Sequence, residues 1–165
     1  MLDLYDALIK SGAPHNLRHY GSYAMNAMRI EKAYKAWGSE LTTEITPIEA
    51  RLERFVDLSR DFLGSDMVNK KQSEELDMVL VYCEVETNDT DCRGNEPIYN
   101  GDSLVGLTTS GTWSHTTGKS VAFAYVSPEL EQPGSVFEIE IMNERCRATV
   151  LKDAVVDPLN EKIRK

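Results

Sequence analysis

The tripeptide Gly118-Lys119-Ser120 has the residue types that close a phosphate-binding loop, in which a lysine and converging backbone N–H groups hold a phosphate. Its setting excludes that chemistry. Such a loop has about four residues between its first glycine and the Gly-Lys pair, whereas Gly111 and Gly118 enclose six, residues 112–117. The stretch after Lys119 also alternates like a strand, where a phosphate loop opens a helix. Among the histidines, His15 and His19 stand four apart, but Pro14 and Asn16 disfavour a regular helix and no nearby carboxylate completes a metal set. His115, alone in a Ser/Thr loop, reads as a turn or packing residue. No Gly-x-Ser-x-Gly and no Cys/His pairing of a nucleophilic enzyme occurs. Cys83, Cys92 and Cys146 are odd in number and form no CxxC, so neither a disulfide framework nor a cysteine-rich zinc site is expected. The residues taken alone nominate no catalytic group and no metal ligand.

The elements that must position any site come in two kinds. Upstream of about residue 77, Tyr23, Ala27, Ile30, Tyr34 and Trp37 recur at helical spacing, with Glu31 and Lys35 as an i,i+4 pair and Gly38 placed to stop the helix. A shorter helix over LDLYDALIKSG ends at Gly12, and GSDMVNKKQSEE predicts a third, capped by Ser65. Downstream the period becomes two. In KSVAFAYV the bulky Val121, Phe123 and Tyr125 are expected to fill a core while Ala122 and Ala124 admit a close neighbour. In SVFEIEIM, Phe137, Ile139 and Ile141 point inward and Glu138 and Glu140 to solvent. Asn100-Gly101, Pro133-Gly134 and Asn143-Glu144 supply turns. The expected fold is α+β, an N-terminal helical segment over residues 1–77 and a small antiparallel β-barrel of five or six strands over 78–165.

With 165 residues, 41% of them apolar and 27% charged, the chain can bury a real core. Eighteen basic against 27 acidic residues leave a net charge of −9, which argues against nucleic acid or an anionic membrane as the main partner. No run reaches the roughly 18 apolar residues of a membrane span, and MLDLYDALIK has no signal-peptide pattern, so a cytoplasmic location is expected.

Longer motifs carry more than single residues do. TTSGTWSHTTGKSVAFAYVSPEL is similar to the T-S-G-x-x-S-x-x-x-x-K-x-x-A-x-A-Y-V-P pattern near the C-terminus of the glycine-cleavage aminomethyltransferase (T-protein) family. MRIEKAYKAWGSELTTEITPIEARLERFV resembles that family's R-L-E and T-P-L-E-A-G-L series, and RGNEPIYNGDSLVGLTTSG and VVDPLNEKIRK agree as well. Within the family, Glu31-Lys32, Tyr34 and Ala36-Trp37-Gly38 most resemble the folate-binding C-terminal part of dimethylglycine and sarcosine dehydrogenases.

The resemblance implies tetrahydrofolate as ligand, with Tyr34, Trp37, Arg29 and Arg54 as candidate binding residues. The two rings would stack on the ligand and the two arginines meet its carboxylates. Each also has a plain structural reading, as core aromatic or ion-paired arginine. The resemblance further implies that the family's catalytic aspartate and pterin-binding glutamate lie in a preceding part with no counterpart here, and that FAD serves full-length relatives but not this chain. Met25 stands where the T-protein has its folate-contacting arginine, and Arg51 and Glu53 replace two of its glycines, while Glu49 keeps its place in a turn after Pro47.

Three functions follow as expectations. The first is the C-terminal part of a tetrahydrofolate-dependent aminomethyltransferase-like or dimethylglycine dehydrogenase protein in one-carbon and glycine-betaine catabolism, inactive without flavin and folate domains that are either separately encoded or left out of this sequence. The second is a non-catalytic interaction or regulatory barrel without folate affinity. The third is a truncated product folded because the barrel is autonomous. An open apolar face on residues 1–40 predicts self-association or partial disorder there.

Overall fold

The alternating stretches become six strands, β1 (Val79–Val85), β2 (Pro97–Asn100), β3 (Ser103–Ser114), β4 (Lys119–Val126), β5 (Val136–Ile141) and β6 (Glu144–Val150). The structure, a computed structural model, describes residues 1–162 and 164; Ile163 and Lys165 of the closing VVDPLNEKIRK lie outside the described residues. All pairings are antiparallel and the sheet closes in the order β1-β4-β3-β2-β5-β6, so no edge is left unpaired.

Both faces of β1 and β4 are buried, for different reasons. Val79, Val81, Cys83 and Val85 with Ala122, Ala124 and Val126 line the barrel interior, together with Phe137, Ile139 and Ile141 of β5. Leu80, Tyr82, Val121, Phe123 and Tyr125 form a second cluster outside the barrel, under Ile30. The bulky residues of KSVAFAYV do fill a core, as expected, but it is the one beneath the helical segment, while the alanines face the barrel interior. Glu138 and Glu140 do face outward, where Arg145 of β6 pairs with them at 3.6 and 3.4 Å.

Turn chemistry fixes the hairpins. Asn100 pairs with Ser103, leaving Gly101-Asp102 as the loop with Gly101 at φ +61°. In the β5–β6 turn the central residues are Met142 and Asn143, both at positive φ (51° and 67°), one position earlier than Asn143-Glu144. Gly106 is set by crowding: a Cβ there would lie 2.1 Å from the Tyr125 carbonyl oxygen.

The helices are α1 (Leu2–Gly12), α2 (Ser22–Glu31) and α3 (Ser65–Ser73). Asp3 in the first turn and Lys10 in the last suit the dipole of α1, yet none of its residues is buried. α2 stops at Glu31, six residues before the expected end, so Tyr34 and Trp37 are not on it. Its end is a Schellman motif. The Tyr34 N–H donates to the Arg29 carbonyl and the Ala33 N–H to Ile30, each at 2.8 Å, with Ala33 in the left-handed region at φ +52°. Gly38, at φ +85°, instead shapes the loop in which Trp37 bridges Leu41. Ser65 does not cap α3 either; Gly64 holds the cap position and the Ser65 hydroxyl donates to Asp61. Among the described residues no helix is long and apolar enough to cross a membrane.

Candidate functional site

Two buried carboxylates fasten the helical segment to β3 and the β3–β4 hairpin, and both are held by the hydroxyls of TTSGTWSHTT. Glu40 is fully buried. Its Oε2 accepts from Arg29 Nη1 at 2.6 Å and from the Ala36 N–H at 2.8 Å. Its Oε1 accepts from the Thr109 hydroxyl at 2.9 Å and from the Ser110 hydroxyl, and its carbonyl accepts from Tyr125 Oη at 2.8 Å. Two neighbouring strand residues ordinarily point to opposite faces. Here the β3–β4 register shifts between Thr108 and Ser110, and this bulge lets Thr109 and Ser110 reach the same oxygen.

Glu31, the last residue of α2, accepts from the hydroxyls of Ser114 (2.8 Å) and Thr116 (3.0 Å) and from the Thr116 N–H (3.0 Å). Burial alone would raise its carboxyl above the ordinary 4.5; the hydrogen bonds from Thr116 and Ser114 overcome that and hold it below. Glu49 is likewise held down against burial, by the N–H and hydroxyl of Thr46 and by Lys71. With Thr46 it forms a capping box, Thr46 N–H to Glu49 at 2.8 Å and Glu49 N–H back to the Thr46 hydroxyl at 3.3 Å, which bears out a structural role in the turn after Pro47.

Gly118 lies in the turn before β4 at φ +69°, its N–H on the Ser114 carbonyl at 2.8 Å, and Lys119 Nζ pairs with Glu84 at 2.7 Å. The Gly-Lys-Ser is thus a hairpin turn and the head of a strand. Arg51 occupies one of the two glycine positions at φ +54°, a conformation that favours glycine, and pairs with Glu131 and, at 3.4 Å, with Glu53.

The fold gathers a cleft of about 670 Å³ from three distant stretches: Tyr23, Ala24, Asn26 and Ala27 of α2, the 89–93 loop, and the end of β3 with Trp113 and His115. The loop wall is close-packed on β3, because a Cβ on Gly111 would lie 2.7 Å from Cys92 and one on Gly94 2.6 Å from the Thr109 carbonyl. Glu96 holds that loop by accepting from the N–H groups of Arg93 (2.8 Å) and Gly94 (2.9 Å).

None of the four sequence candidates lines this cleft. Arg29 and Tyr34 meet, but through the Tyr34 carbonyl at 3.2 Å from Arg29 Nη1; the same Nη1 donates to Glu40, and Nε donates to Asn26. Tyr34 Oη donates to Asn160 at 3.1 Å. Trp37 is largely exposed on its own loop, and Arg54 lies over the Phe55 ring, 4.6 Å from its centroid. Glu40, Thr109 and Ser110 are what residue reasoning passes over; their only signal is a hydroxyl-rich strand that has to satisfy something buried. Among the described residues no cluster of three or more His, Cys, Asp or Glu side chains could hold a metal, and burial pushes the Cys83 thiol up to about 12.

Helices followed by a closed six-stranded antiparallel barrel are the architecture of a T-protein C-terminal unit. The glycine cleavage T-protein C-terminal barrel domain matches residues 79–157 and the GCVT N-terminal domain matches residues 1–60. This chain belongs to the glycine cleavage T-protein family. It is 38% identical over 166 aligned positions to the mitochondrial dimethylglycine dehydrogenase of Mus musculus, covering 98% of this chain and 19% of that protein. To the aminomethyltransferase of Aquifex aeolicus (strain VF5) it is 33% identical over 150 positions, covering 91% of this chain and 40% of the relative. The crystal structure of glycine cleavage system aminomethyltransferase T from Bartonella henselae shares the fold with a TM-score of 0.76, at 21% identity over 82% of this chain and 38% of that one. The chain therefore spans about one fifth of the dehydrogenases' length and two fifths of the aminomethyltransferase's.

Proposed function

We propose that this chain is the C-terminal, folate-facing portion of a tetrahydrofolate-dependent one-carbon transfer protein of the dimethylglycine dehydrogenase type, not catalytic alone. The flavin and N-terminal folate portions of such a protein would complete it, whether on the same polypeptide or another. The observation that carries this reading is the unpartnered apolar side next to the cleft. Tyr20, Tyr23, Met25 and Met28 are 68%, 85%, 53% and 50% exposed, and Leu4, Tyr5 and Leu8 of α1 are exposed with them. Scattered exposed apolar residues are ordinary, but so many on the first 28 residues mark this stretch as a candidate interaction surface.

The cleft has groups of the right types for folate. Trp113 and Tyr23 offer rings for an aromatic ligand, and Arg93 and His115 offer positive or hydrogen-bonding groups for its carboxylates. Asp89 and Asp91 on the same wall oppose an anion, so affinity is expected to be weak until the partner closes the other side. Bound tetrahydrofolate would supply the acceptor nitrogens for the one-carbon unit; this chain's residues would bind and orient it.

Titration of the whole chain with tetrahydrofolate, followed by Trp113 fluorescence, tests the reading. Saturable quenching that disappears in Trp113→Phe is expected. No saturation up to about 1 mM, a binding energy near 4 kcal/mol, would favour the non-catalytic barrel.

A further inference from the structure

Arg29 stays out of the cleft but reaches it through a neighbour. It stands three residues after Asn26 on α2, so the two side chains share one side of the helix. Arg29 Nε donates to Asn26 Oδ1 at 2.9 Å. A guanidinium carries donors and no acceptor, so the atom of the Asn26 amide that meets it has to be the oxygen, and the NH₂ has to face away. Asn26 lines the cleft. Among the described residues its NH₂ makes no hydrogen bond, and it is not one of the polar side-chain atoms shut away from solvent without a partner. Two donors are therefore left free where α2 forms the cleft wall.

This orientation is held from behind. Arg29 Nη1 is anchored on Glu40 at 2.6 Å and on the Tyr34 carbonyl at 3.2 Å, and Glu40 is fixed in turn by the Ala36 N–H and by the hydroxyls of Thr109 and Ser110. The Arg29 side chain is only 15% exposed and that of Glu40 is wholly buried, so the guanidinium cannot follow the amide if it turns. Turning the amide would set its NH₂ against the Arg29 N–H and lose the bond. A planar guanidinium serves Glu40 and Asn26 through different nitrogens at once, which the point charge of a lysine does not.

We propose that Arg29 is a positioning residue for the cleft: it locks the Asn26 amide so that this part of the wall offers donors and no acceptor, and the ligand group seated beside α2 is a hydrogen-bond acceptor, a carbonyl or carboxylate oxygen. Tetrahydrofolate carries such groups, and its assignment as that ligand rests on the function proposed above; the lock itself does not.

The lock is read in the whole chain by ¹H–¹⁵N NMR of the Asn26 side-chain amide, assigned by its loss in Asn26→Asp. A heteronuclear NOE as high as that of the ordered backbone is expected in the wild type. A low one is expected in Arg29→Lys, which keeps a cation for Glu40 but releases Asn26. Tetrahydrofolate titrations followed by Trp113 fluorescence read the ligand side. Asn26→Ala should weaken binding about three- to tenfold and Arg29→Lys about threefold. Asn26→Asp, which keeps the bond to Arg29 but turns an acceptor toward the ligand, should weaken it more than Asn26→Ala, by at least about tenfold. The two Asn26 variants leave Glu40 and its donors in place, so they and the wild-type amide signal keep the test decisive if Arg29→Lys does not fold. A mobile Asn26 amide in the wild type, an unchanged one in folded Arg29→Lys, or Asn26→Asp binding as well as Asn26→Ala overturns the proposal. Absence of saturable quenching in the wild type would count against the folate reading, while the amide signal still decides the lock.

Discussion

Replacing Glu40 separates what its charge does from what its hydrogen bonds do. Glu40→Ala strips acceptors from four donors at once, Arg29 Nη1, the Ala36 N–H and the Thr109 and Ser110 hydroxyls. Breaking one side of a buried ion pair costs about 3–5 kcal/mol. Two compensations put this case near the low end: Thr109 can turn to the Phe123 carbonyl at 3.3 Å, and Arg29 already reaches the Tyr34 carbonyl at 3.2 Å. Glu40→Gln is different. Its carbonyl can stay on Arg29 and Ala36, both donors, while its amide faces Thr109 and Ser110, whose hydroxyls can accept. Only the charge is lost, for about 1–2 kcal/mol, since hydrogen bonds to charged groups exceed neutral ones by about that much. At roughly 2–4 °C per kcal/mol for a chain of this size, Glu40→Ala should lower Tm by about 6–12 °C and Glu40→Gln by about 2–8 °C. Thermal and urea unfolding followed by far-UV circular dichroism measure both. If the two variants are equally destabilised, or Glu40→Ala costs less than about 1 kcal/mol, the fastening role assigned to this carboxylate is wrong.

Other outcomes follow from single residues. Ala33→Gly, at the left-handed position that ends α2, should raise stability by about 0.5–1 kcal/mol, and a lowered urea midpoint would contradict the Schellman assignment. Gly118→Ala, where a Cβ meets nothing within 4 Å but φ is +69°, should cost about 1 kcal/mol. Gly106→Ala, which drives a Cβ to 2.1 Å from the Tyr125 carbonyl oxygen, should cost at least about 2–3 kcal/mol; the reverse order in denaturant unfolding would refute the contrast. Glu31 and Glu49 titrate below the ordinary 4.5 in the folded chain, so the stability they add is complete above that pH and is lost as pH falls through their lowered values. Unfolding free energy should therefore drop on acidification below about pH 4.5, less steeply in Glu31→Gln; an identical slope in that variant would sever the link.

The barrel was legible because strand alternation and turn chemistry are local. Phe137, Ile139 and Ile141 face in, and Gly101 marks its hairpin, as their spacing predicts. The end of α2 was not, because the helical spacing runs on through Tyr34 and Trp37 while the break falls on Ala33, a good helix former that gives no stop signal. Which face of KSVAFAYV turns inward depends on barrel closure, a property of the whole sheet. The cleft was invisible for the same reason: Asn26, Arg93 and Trp113 meet only once the loop at 89–93 lies against β3. Glu40 and Ser110, seventy positions apart, leave no pattern in either neighbourhood. The family motifs pointed to the architecture but not to which carboxylates hold it.

β3 carries one residue more than its ladder with β4 uses. On both sides of Thr109 the ladder with β4 is already in step, Thr108 opposite Ala124 and Ser110 opposite Phe123. Excising that one threonine would leave every remaining rung where it is, so the barrel has no need of it. It is an outrigger: it gives the helical arm a second foothold while its carbonyl lies against Gly94, so the mooring of the arm rests on a position that the strand pairing does not use.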